Sequence, residues 1–144
     1  MGVEWMDYGL AGLFLGAFLS ATILPLPSEA MLIGALELEI APVPVLFVAT
    51  IGNFLGGLTN YLIGYKANNE KLLKKFKLST DKIRVWESRT NRWGYWLGLL
   101  SWLPFVGDPM VVALGFLRVS FWRLALTMFI GKFVRYAILI WLYF

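Results

Sequence analysis

The chain has no cysteine and no histidine. Disulfides, thiol nucleophiles, Cys/His metal sites and imidazole acid–base chemistry are therefore excluded. Charge is scarce: 15% of the 144 residues are charged, against roughly 25% in soluble domains. Positive charge is missing altogether from the first part of the chain, where the first base is Lys66. The N-terminal MGVEWMDYG carries Glu4 and Asp7 but none of the bases that open a secretory signal, so it reads as mature chain.

What is present is apolar. Hydrophobic residues make up 59% and the mean hydropathy is +0.69, whereas soluble domains run at roughly 45–50% apolar. A water-soluble fold of this size has too little interior for that surface, so the expected solvent is a bilayer. Seven Trp and six Tyr agree, because both rings favour the membrane–water interface. The length is that of a single domain. Of the thirteen bases, nine lie within 66–92: Lys66, Lys71, Lys74, Lys75, Lys77, Lys82, Arg84, Arg89 and Arg92. That clustering is a topological signal and does not point to nucleic acid.

The first apolar stretch runs from about Leu10 to Leu24 and stops at LPLPSEA, with Pro25, Pro27 and Glu29. A short one, Ala30 to Leu36, fades into ELEIAPVP, and a third, Val43 to Tyr65, is long enough to span a membrane. The basic linker follows, with weakly amphipathic helical spacing and Ser79 or Thr80 as a cap. Then come Trp93–Leu103, a break at PFVGDP, Met110–Leu117 and a final span Phe121–Phe144.

The second series repeats the first. With a shift of 79 residues (108 − 29), Thr22 falls on Ser101, Pro25 on Pro104, Glu29 on Asp108, Met31 on Met110 and IGNF (51–54) on IGKF (130–133). The domain therefore divides into repeat 1 (9–65), a basic linker (66–92) and repeat 2 (93–144).

Lengths suggest topology. At about 1.5 Å per residue, Trp93–Leu103 and Met110–Leu117 reach roughly 16 and 12 Å, against a hydrocarbon core of about 30 Å. Neither crosses. We expect an all-α integral membrane protein of two inverted repeats, each a Pro-broken re-entrant helical hairpin plus a transmembrane helix. The Leu10–Leu24 arm is longer and leaves a full crossing open. With the linker cytoplasmic, Glu4, Asp7, Glu37 and Glu39 face outward while Arg118 and Arg123 face the cytoplasm, as the positive-inside rule requires.

Four ionisable residues fall at membrane depth: Glu29 and Asp108 at the hairpin tips, Lys132 and Arg135 in the last span. Charges there cost from ~3 kcal/mol upward and mark pathways or proton relays, or lock elements together as ion pairs. Lys132 and Arg135 are three apart and so share a helical face. Asn53 corresponds to Lys132, and Asn60 lies on the same face as Asn53. Gly52 and Gly56 form a GxxxG of the kind that packs membrane helices. The glycines of GYKANN and GFLR lack phosphate-loop spacing.

At SATILPLPSE, GNFLGGLTNY, LLSWLPFVGD and GKFVRY the chain resembles the DedA superfamily, also called VTT or SNARE-associated membrane proteins, in its small YqaA-like branch. The resemblance covers about residues 20–65 and 97–136. It implies two opposed re-entrant hairpins and movement of lipids, such as undecaprenyl phosphate, between leaflets. The family's first acidic motif carries onto Glu29. Its second motif sets arginines three residues either side of a proline; Ser101 and Gly107 hold those places here, beside Asp108, and Lys132 and Arg135 are the substitutes on offer.

The resulting expectation is a lipid transporter of the inner or plasma membrane, flippase- or scramblase-like, and not an enzyme. Glu29 and Asp108 handle protons or gate; Lys132 and Arg135 attract the headgroup; Asn53, Ser101, Pro25 and Pro104 support. No cofactor and no metal is expected. Partners are membrane lipids, with polyprenyl phosphate foremost, and a homodimer is compatible with the GxxxG. Two other readings stand: a membrane assembly or stability factor, and an embedded lipid-phosphate enzyme.

Overall fold

The computed structural model describes residues 2–22, 27–103 and 105–144. Among the described residues every regular element is helical: α1 (Gly2–Ser20), α2 (Ser28–Glu37), α3 (Pro42–Ala67), α4 (Glu70–Lys75), α5 (Thr80–Thr90), a 3₁₀ segment (Gly94–Leu100), α6 (Gly107–Phe116) and α7 (Phe121–Tyr143). Pro25 and Pro104, at which the sequence reading sets both helix breaks, lie outside the described residues. α3 and α7 are long and apolar enough to cross a membrane. At about 15 Å each, α2 and α6 are not.

Two elements differ from the reading above. α1 begins at Gly2, well before Leu10, because apolar composition marks depth in a bilayer and not the extent of a helix. The segment at Gly94 is a 3₁₀ helix, although apolar composition alone suggests an α-helix. Its Tyr95 carbonyl accepts a 2.5 Å hydrogen bond from Thr127 Oγ1 of α7, which ties the segment to that helix. Winding at about 2.0 Å per residue also lets seven residues cover roughly 14 Å.

The elements keep a common register. α2 starts at 28 and ends at 37; α6 starts at 107 and ends at 116, both 79 further on. α3 and α7 start at 42 and 121, again 79 apart. α2 ends on a left-handed residue, Glu39 (φ 62°), with Ile40 N donating to Ala35 O at 3.2 Å. α6 ends in the same way on Arg118 (φ 55°), with Val119 N donating to Leu114 O at 3.1 Å. This is the Schellman termination, in which the residue after the left-handed one packs back onto the helix. Ile40 and Val119 are accordingly buried.

Two apolar cores result. One holds Leu32, Ala35, Ile40, Val45 and Ala49; the other holds Val111, Leu114, Val119, Leu124 and Met128, which are the same positions plus 79. Each also receives a tyrosine from the long helix of the other half: Tyr136 enters the first and Tyr61 the second. α1 lies along α3, the 3₁₀ segment along α7, and α6 along α3. Gly52 meets the Phe14 carbonyl of α1, and its counterpart Gly131 meets the Leu99 carbonyl of the 3₁₀ segment. Gly56 likewise receives Phe18 of α1, so the GxxxG is used inside the chain and is not free for a second copy.

Outside these layers, α4 and α5 form the basic connection. Asn69 caps α4 by accepting from Leu72 N at 3.0 Å, and Ser79 caps α5 by accepting from Lys82 N at 3.4 Å.

Candidate functional site

The two acidic residues occupy the same place in their elements, the second residue of α2 and of α6. A carboxylate there faces the positive end of the helix dipole. Their partners differ. Glu29 forms an ion pair with Arg135 of α7, and the Arg135 side chain is the more buried of the two. Among the described residues Asp108 has no cation in ion-pair contact; Asn60 Nδ2 of α3 approaches its Oδ1 at 3.5 Å, and Lys132 is the neighbouring charge.

Lys132 is 1% exposed, an extreme for an ammonium. Its Nζ donates to Asn53 Oδ1 at 2.5 Å. The Asn53 amide nitrogen donates in turn to the Ala17 carbonyl at 2.9 Å and to Ser20 Oγ at 3.1 Å, both on α1. Asn60 Nδ2 also donates to the Ala21 carbonyl just past α1. A polar chain therefore runs from the C-terminal carbonyls of α1 through Asn53 to Lys132, with Asn60 and Asp108 one heptad further along α3. Low dielectric makes such a chain strong when its members are satisfied.

Lys132 and Arg135 thus separate, although their spacing sets them on one face. Arg135 turns to Glu29 and lies 5.3 Å from the centroid of the Tyr136 ring. Tyr136, fully buried, donates its hydroxyl to Ser28 Oγ at 3.0 Å. Glu29 and Arg135 also line a cavity of about 540 Å³. The rest of its wall is apolar: Leu99 and Trp102 on one side, Ile130, Gly131, Val134, Ile138 and Leu139 of α7 on the other. Its size falls in the range of small-molecule sites, about 300–1,000 Å³. Asp108, Lys132 and Asn53 do not line it.

Ser101 is buried, and its hydroxyl has no hydrogen-bond partner among the described residues. Gly107 packs against the Ser101 backbone so closely that a Cβ would overlap its carbonyl, and Gly107 N donates to Leu103 O at 2.9 Å. An arginine at 107 therefore has no room in this tip. Sequence reasoning did not single out Tyr136, Ser28 or Trp102. Tyr136 carries the one usable signal, a phenol beside Arg135 in an apolar span.

A model of the VTT domain matches residues 26–144. The chain is 38% identical to Inner membrane protein YqaA of Escherichia coli over 128 residues, covering 88% of this chain and 85% of that protein. It is 35% identical to an uncharacterized protein of Haemophilus influenzae over 147 residues, covering 96% of this chain and 89% of the relative. No solved structure matches. With the domain matched over most of its length and two helices able to span a bilayer, the chain is a membrane protein belonging to the VTT-domain (DedA) family.

Proposed function

We propose that the protein moves a phosphate-bearing lipid, such as undecaprenyl phosphate, between leaflets of the bacterial inner membrane. The observation that carries this reading is the largely apolar cavity whose lining includes the Glu29–Arg135 ion pair. Its apolar walls suit an acyl or prenyl chain, and the ion pair suits an anionic headgroup. Arg135 can hold one anion at a time with full geometry, so a phosphate competes with the Glu29 carboxylate for it. A proton on Glu29 releases Arg135, and loss of that proton returns the ion pair and expels the headgroup. Lys132, buried and committed to Asn53, acts in this scheme as an internal counter-charge near Asp108 and not as a headgroup contact. The chemistry is that of a carrier, without a covalent step.

The topology we infer is a pair of inverted repeats, each a re-entrant hairpin followed by a span. The shared 79-residue register of helix starts, left-handed turns and core positions supports a duplication. So does the Lys132–Asn53 bond, which joins two residues that are themselves 79 apart, as contacts on a pseudo-twofold axis do. The shortness of α2, α6 and the 3₁₀ segment supports re-entrance. On this reading residues 66–92 are cytoplasmic. The name of the E. coli relative supports the same membrane here.

The test is reconstitution in liposomes with a labelled polyprenyl phosphate, with and without a pH gradient. Transfer faster than in empty vesicles, lost in Glu29→Gln without loss of fold, is the expected outcome. Rates equal to those of empty vesicles under both conditions would sink the proposal. A second reading, an assembly or stability factor, is favoured by the ready-made Glu29–Arg135 pair, which can act as a lock. It requires Glu29→Gln to lower stability or abundance instead.

A further inference from the structure

We infer that the α4–α5 connection is a docking surface for anionic lipid headgroups, distinct from the cavity and independent of transport. On α5, Lys82, Val85, Trp86 and Arg89 recur at i, i+3, i+4 and i+7 and form one face. All four are exposed, Val85 by 50% and Trp86 by 54%. The Arg89 guanidinium lies over the Trp86 ring, 5.7 Å from its centroid. Past the end of α4, Phe76 is 65% exposed and sits between Lys75 and Lys77. Bulky apolar groups flanked by cations are what an interfacial helix offers to a charged membrane.

The other face of α5 is fixed to the body. Glu87 Oε1 accepts from Asn68 Nδ2 at 2.5 Å, and Asn68 Nδ2 also donates to the Phe116 carbonyl at 2.6 Å. Arg118 donates to the Asn68 carbonyl at 2.7 Å, and Thr90 is buried. The Val85–Trp86 side therefore stays turned outward because the inner side is tied down. That arrangement is a built surface and not the accident of a loose loop.

Three observations select lipid as the occupant. The stretch 66–92 carries nine bases and three acids, Glu70, Asp81 and Glu87, a net of +6 (9 − 3), and Glu87 is turned inward. Only Asn68 and Asn69 separate α4 from the end of α3, a helix able to span a bilayer, and three residues separate α5 from the apolar 3₁₀ segment, which keeps the connection close to apolar elements at both ends. Exposed tryptophans continue beyond the end of α5, at Trp93 (52% exposed) and at Trp96 (56% exposed) within the apolar 3₁₀ segment. A soluble acidic partner needs the first of these and not the other two.

Because the chain has no cysteine, single cysteines label uniquely. Trp86→Cys and Val85→Cys, each carrying an environment-sensitive dye, are placed in nanodiscs of phosphatidylcholine alone or with roughly one-third phosphatidylglycerol. Ser88→Cys, exposed on another face, is the reference. The expected result is a blue shift and protection from iodide at 85 and 86 in the anionic discs only, reversed by high salt, with Ser88 unchanged. Lys82→Gln or Arg89→Gln lowers the anionic-lipid preference about fivefold each. Equal emission in the two lipids at both positions overturns the inference. So does a shift that appears only when RNA or an acidic soluble protein is added. Use of two dye positions keeps the test valid if one variant fails to fold.

Discussion

The two halves of the chain share a frame and differ in what they mount on it. Each has a ten-residue helix with an acid at its second position, a left-handed stop and a long helix starting 79 residues from its counterpart. Against that constancy, Glu29 is paired with Arg135, while among the described residues the hydrogen-bond partner of Asp108 is the Asn60 amide at 3.5 Å. The acidic Glu39 stands where the other half has the basic Arg118. The first long helix has Asn53 where the second has Lys132. From α2 and α6 onward the differences fall on charge and the agreements on backbone and core. The arms before them differ in backbone as well, an α-helix in one half and a 3₁₀ segment in the other. Packing fixes the frame, because a core tolerates little change in shape; charge is free to divide the labour between halves.

The sharpest way to break this comparison is to make the halves alike where they touch. Asn53→Lys sets two ammoniums at one buried point and should cost about 3–5 kcal/mol, or folding altogether, in thermal unfolding in detergent. Lys132→Asn should cost less, and the exchange Asn53→Lys/Lys132→Asn should recover much of the loss. Equal damage from the exchange and from Asn53→Lys alone would mean that the contact itself is unimportant. Next, Arg135→Gln leaves Glu29 alone beside an apolar cavity. Because Glu29 is partly exposed, about 1–2 kcal/mol is expected by chemical denaturation. Asp108→Asn, with no ion pair to lose, should stay within ~1 kcal/mol. The smallest effects concern the helix stops. Glu39→Gly should stabilise by about 0.5–1 kcal/mol, since glycine takes a left-handed conformation freely. Arg118→Gly should destabilise, because Arg118 holds the Asn68 carbonyl and covers the Tyr65 ring at 4.5 Å.

Much of the frame was legible beforehand. The sequence reading opens the two long spans at Val43 and Phe121, and the helices open at Pro42 and Phe121, because an apolar run of that length leaves little choice of element. The 79-residue shift was visible because prolines and acids are rare in apolar segments. The 3₁₀ winding was not legible, since Tyr95 finds its partner in Thr127, thirty-two residues away. The parting of Lys132 and Arg135 was hidden for a similar reason. Spacing sets two residues on one face, while a face wide enough to meet α2 and α3 at once can send them to different neighbours. The left-handed Glu39 and Arg118 carry no glycine to announce them. The cavity depends on how Trp102, Glu29 and α7 converge from distant parts of the chain, and no local pattern encodes that.

On the duplication proposed above, the bond between Lys132 and Asn53 also bears on ancestry. Wherever two copies of one unit meet about a twofold axis, a residue on the axis meets its own twin. Two asparagines can greet each other there, amide to carbonyl, but two buried lysines cannot. A pair of identical half-length chains is therefore confined to asparagine or something equally self-complementary at that point. Only after the copies are joined, and free to mutate separately, can one of them carry the lysine. On that reading, position 132 is a place where being one chain instead of two permits chemistry that symmetry forbids.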